Sequence, residues 1–286
     1  MCELYIVCLG NNAEKNFCPS KLDENGAIKY MKSHIQLPHF ILRKFEDEKN
    51  NLYYIDIDHK CMVKKGHAAS LNTKANHYSA EVESYLSNEI EHPFSEEIKR
   101  IEKTIFDQDG FSLSFNLEVL AKKYAISCFA RSSHMKDLMW DSSIYAQFMK
   151  CTEQNQNDLA VLHGTISNHD SIFESYFLTF GLNRSNKAFV VPMTGLYGME
   201  IFGGKVIVMP ISPKLVLILI DSAISDHIVE NGITKMIIIE NDDIIYDMNK
   251  RALATQKEQG YGFVAGSSRE ELSELAFSEK VMVSDV

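Results

Sequence analysis

Hydrophobic positions along the chain change their period twice, and each change marks a region. Residues 3–9 (ELYIVCL) form a short apolar run of strand length, and a polar loop follows to about residue 29. In HIQLPHFILRKF (34–45), Pro38 suits the first turn of a helix, where its missing N–H costs nothing. Phe40, Ile41 and Phe45 then fall on one side at helical spacing. LYYID alternates, with Tyr53, Ile55 and Ile57 on one face, and CMVKK follows the charged turn DIDHK; this pattern predicts a β-hairpin.

The middle of the chain has a helical period. SAEVESYLSNEIE predicts a helix capped by Ser79 and ending before Pro93. A second cap at Ser95 opens EEIKRIEKTIF, with Glu96 and Glu97 at the positive end of the helix dipole. Leu117, Leu120, Tyr124 and Cys128 make an apolar stripe along the next helix.

From about residue 186, β-branched runs separated by Gly, Pro and Asp take over: KAFVVPM, KVIVMPI, KLVLILID and KMIIIE. They predict a buried sheet. GLYGMEIFGGK reads as a turn between strands; its spacing is not that of a phosphate-binding loop, and Val206 stands where such a loop has Ser or Thr. A helix over 241–257, a short strand in GYGFVAG and a terminal amphipathic helix complete the chain. Helices followed by strands give an α+β fold: an N-terminal strand, helix and hairpin, a helical middle, and a mainly antiparallel C-terminal sheet.

Composition changes this picture only by exclusion. Over 286 residues, 45% hydrophobic and 24% charged content are those of a globular protein. A net charge of −10 argues against a wrapped, sequence-blind grip on duplex DNA, which needs many cationic contacts to phosphate. MCELYIVCLG has Glu3 where an export signal has positive charge, and no run reaches the roughly 20 apolar residues of a membrane helix. A soluble, cytoplasmic protein is therefore expected. The six cysteines (2, 8, 18, 61, 128 and 151) are scattered, and reduced, mostly buried thiols are expected.

Candidate chemistry centres on the opening motif. His39 and Arg43 share a helix face, so an imidazole and a guanidinium could converge on an anion such as phosphate. His34 and His39 are candidates for general acid or base, and Arg43 for a clamp on developing charge. The plain alternative is that the apolar residues anchor the helix, His34 caps a turn and Arg43 pairs with an acid. Arg131 and His134 stand three residues apart at a helix end; the dipole accounts for them there, and the functional alternative joins them to His34 and Arg43 around one pocket. Glu83, Glu89, Glu91 and Glu97 form an acidic helical face, with Glu83 the candidate partner of the basic set. The ten histidines fit no metal-ligand spacing, so no metal set is assigned and the cofactor is unknown.

The ordered segments HIQLPHFILRKF, LYYIDID, NTKANHYSAEVESYLSNEIE, YAISCFARSS, MPISPKLVLIL and DMNKRAL resemble the microbial family catalogued as domain of unknown function 4238. His34, Pro38, Phe40, Leu42, Arg43 and Phe45 match its H-x3-P-x-F-x-L-R-x-F start. The resemblance spans about residues 32–265. It implies one α+β domain over 32–286 preceded by an extension over 1–31. The family's Ser-Asp-Asn-Pro element corresponds here to AFVVPMTG, with Met193 in place of the Asp, so any chemistry of that Asp is lacking in this chain.

Two functions fit these features. The first is an effector of the phage-defence or toxin type that hydrolyses nucleic acid or nucleotide. Its catalytic set is His34, His39, Glu83 and His134, with Arg43 and Arg131 binding the phosphate. The second is a non-catalytic sensor or regulatory module in a multi-protein system, acting on a protein partner or a second copy of the chain. Neither involves a membrane.

Overall fold

The computed structural model describes residues 32–34, 36–59, 61–71, 73–75, 78, 80–107, 115–131, 159–201, 204–224 and 236–283. The apolar run at 3–9, His134, and cysteines 2, 8, 18 and 151 lie outside them.

The fold is α+β. Short β1 (Lys32–His34) pairs with β4 (Thr73–Ala75). Between them come α1 (His39–Leu42), a 3-10 turn (Arg43–Phe45) and the expected hairpin, β2 (Leu52–Asp56) and β3 (Met62–Gly66). Pro38 sits at the N-cap of α1 with extended backbone. Ile41, Leu42 and Phe45 are buried and Phe40 packs against them, so the motif's apolar residues are core.

The helical middle departs from the sequence reading. α2 (Ala80–Tyr85), a π turn (Leu86–Glu91) and α3 (His92–Asp107) follow one another without a break. Pro93 therefore ends no helix, and Ser95 lies inside one rather than capping it. The cause is a hydrophobic repeat of four: Val82, Leu86, Ile90, Phe94 and Ile98 are all buried. In an α-helix each such step overshoots the turn by about 40°. The wider π turn absorbs part of that drift and keeps the five side chains on the core. It also accommodates Pro93, because the His92 N–H reaches back five residues to the Ser87 carbonyl and loosens the turn into which the ring would otherwise press.

α4 (Phe115–Arg131) is the central helix, with every residue from Tyr124 to Arg131 buried. α5 (Leu159–Ser167) and α6 (His169–Ile172) pack beside it.

The main sheet has the order β10-β5-β9-β8-β7. Its strands are β5 (Tyr176–Asn183), β7 (Tyr197–Ile201), β8 (Gly204–Ser212), β9 (Leu215–Asp221) and β10 (Met236–Ile239). All neighbours are antiparallel except β10, which runs parallel to β5. The continuous run LVLILI is explained by burial on both sides: Leu215, Leu217 and Leu219 face the core shared with α1 to α5, whereas Val216, Ile218 and Ile220 face a second core. That second core is closed by α7 (Asp242–Gln259) and α8 (Arg269–Val283). α7 has an Asn241 cap and ends at Gly260, whose φ of 77° is the left-handed conformation that stops a helix. β2 and β3 join β6 (Val191–Pro192) and β11 (Phe263–Gly266) in an antiparallel sheet of order β3-β2-β11-β6.

Three C-terminal expectations need correction. GLYGMEIFGGK contains β7, which pairs with β8, rather than a turn alone. β5 begins before the residue where the strand-rich texture was placed. KAFVVPM contributes only the two residues of β6, because side chains take much of its backbone pairing. Asn249 accepts from the Val190 N–H at 3.0 Å and donates to the Ala188 carbonyl at 2.8 Å. Two helical turns later, Gln256 accepts from the Thr194 N–H and donates to the Tyr261 carbonyl. Asn249 and Gln256 thus stand in for a neighbouring strand.

Candidate functional site

The structure divides the proposed set into two places. At the first, α1 and its 3-10 extension carry His39, half-buried, and Arg43, exposed. Burial, then the nearby Arg43 charge, lowers the His39 pKa below its usual 6.5, with Glu46 opposing. At neutral pH the ring is neutral and can accept a proton. His34 lies on β1, and Lys44, next to Arg43 in the chain, is bound to Glu102 of α3.

The second place is the end of α4. Arg131 is 3% exposed and built into the core. Its Nε donates to the Ser127 carbonyl at 3.1 Å, Nη2 to the Ser127 hydroxyl, and Nη1 to Glu91 Oε1 at 3.1 Å. Desolvation is the largest single influence and opposes its charge, but the Glu91 carboxylate, together with Cys128, Tyr78 and Tyr124, outweighs it and the pKa is raised. Around the guanidinium lie Tyr78, Tyr124 and Cys128, whose hydroxyls and thiol burial pushes upward in pKa, so all three are neutral. Glu83, half-buried on α2, adds its charge beside Tyr78. The Tyr124 ring stacks on Phe94 with centroids 4.5 Å apart.

The opening motif does reach this cluster, through a residue the sequence reading passed over. Gln36, 1% exposed, donates its amide to the Arg131 carbonyl at 3.2 Å and to the Tyr261 hydroxyl at 3.1 Å. Arg43 and Arg131 are therefore not two arms of one open clamp: one guanidinium faces solvent, the other is enclosed and neutralised. Glu83 and Arg131 are brought into one neighbourhood, together with Glu91, Tyr78 and Gln36, which had no place in the proposed set. Glu91 carried no local signal: its role follows only once Arg131 is seen to be buried, where a cation requires an acid within reach.

Met193, standing where the resemblance has Asp, is buried with its thioether against Gly262, and its N–H pairs with the Phe263 carbonyl. Next to it Gly195 adopts a φ of 79°, and a Cβ there would meet Cys128 Sγ at 3.0 Å and the Tyr124 hydroxyl at 3.1 Å.

An open groove of about 460 Å³ runs along α2 and the π turn, lined by Ala80, Glu81, Ser84, Tyr85, Asn88 and Glu89. Tyr85 contacts the His163 ring of α5, with centroids 5.3 Å apart. Among the described residues no three His, Cys, Asp or Glu side chains group as metal ligands, and no helix is long and apolar enough to cross a membrane. Cys61 and Cys128 are free thiols.

The chain matches no family model, no curated protein and no solved structure in comparisons with known proteins.

Proposed function

We propose that the protein is a non-catalytic binding module, a sensor or regulator that works through contact with another protein. The observation that supports this reading is the position of Arg131. A phosphate-directed site built on this set needs two accessible guanidinium groups, and Arg131 instead spends its charge on Glu91 inside the core. The acidic balance of −10 agrees, since it disfavours a polyphosphate ligand.

A hydrolase acting on nucleic acid or nucleotide is the second reading. One observation favours it: His39 is held neutral beside an exposed Arg43, as a general base next to a phosphate-binding group would be.

One experiment separates the two. The full chain is incubated with RNA, DNA and nucleoside triphosphates, with and without Mg²⁺ or Mn²⁺, beside a His39→Ala, Arg43→Ala variant. The binding-module reading expects no turnover and a stoichiometric protein partner on purification from native cells. Turnover by the parent that disappears in a variant of unchanged melting temperature would overturn it in favour of the hydrolase.

A further inference from the structure

We draw no further inference here: the strongest candidate, the groove along α2 and the π turn that carries Glu81, Tyr85 and Glu89, is an acidic cluster with no second observation that points to a ligand.

Discussion

Arg131 Nη1 stands 3.1 Å from Glu91 Oε1, a contact that ties the end of the central helix to the π turn 40 positions earlier. Only the carboxylate side retains solvent access, at 25% against 1% for the arginine side chain. Removing the acid therefore strands a cation in the core. Glu91→Ala should cost about 3 kcal/mol, at the lower end of the penalty for orphaning a buried charge. Adding Arg131→Met to it should recover part of the loss. Thermal unfolding of both variants checks this, and a melting temperature unchanged in Glu91→Ala would show that the pair is not structural.

Gly195→Ala should destabilise by more than about 1 kcal/mol, because the left-handed backbone and the contact with Cys128 both oppose a side chain. Combining it with Cys128→Ala relieves the contact and leaves the backbone penalty. Denaturant midpoints should thus place the double variant above the sum of the two single losses. Strict additivity would mean that the Gly195 turn does not press on α4.

His39 gives the fold a pH dependence. The unfolded chain takes up a proton near the ordinary value of 6.5, while the folded state holds the ring neutral to lower pH. This contribution is complete above that value and is lost as pH falls from it toward the lowered one. Melting temperature measured from about pH 7.5 to 5, the range in which histidine titrates, should fall less steeply in His39→Gln than in the parent. Arg43→Ala, by removing a repelling charge, should raise the His39 pKa in an NMR titration. A downward movement would contradict the arrangement.

Asn249→Ala or Gln256→Ala leaves a buried N–H of the 188–194 segment without its acceptor and should cost about 1–3 kcal/mol each. Hydrogen exchange supplies the local readout: the Val190 amide should lose protection in the first variant and the Thr194 amide in the second. Equal protection in parent and variants would mean that another group satisfies those amides.

Elements with a single consistent period were legible in the sequence. The hairpin at Tyr53 and Ile55, the buried run at 215–220 and the helix expected over 241–257 all follow from local pattern. What escaped depends on partners distant in sequence. KAFVVPM has strand composition, but Asn249, about 60 positions on, takes the Val190 and Ala188 backbone bonds that a strand would make, and Gln256 takes the Thr194 N–H just beyond the segment. At the site, the shared face of His39 and Arg43 could be read from helical spacing. The fate of Arg131 could not, because a basic residue at a helix end looks the same whether it meets water or Glu91. Gln36 was hidden by company: between two histidines and a proline, a neutral amide draws no attention, yet it is the residue that binds the motif to α4.

Pro93 and the extra residue of the π turn hold each other in place. Excising any one of Ser87, Asn88 or Glu89 would tighten the turn to α geometry and drive the pyrrolidine ring against the carbonyl four positions back. In descendants of this chain, then, the proline should disappear before the insertion does, and lineages that have kept the ring should show no length change across those six positions.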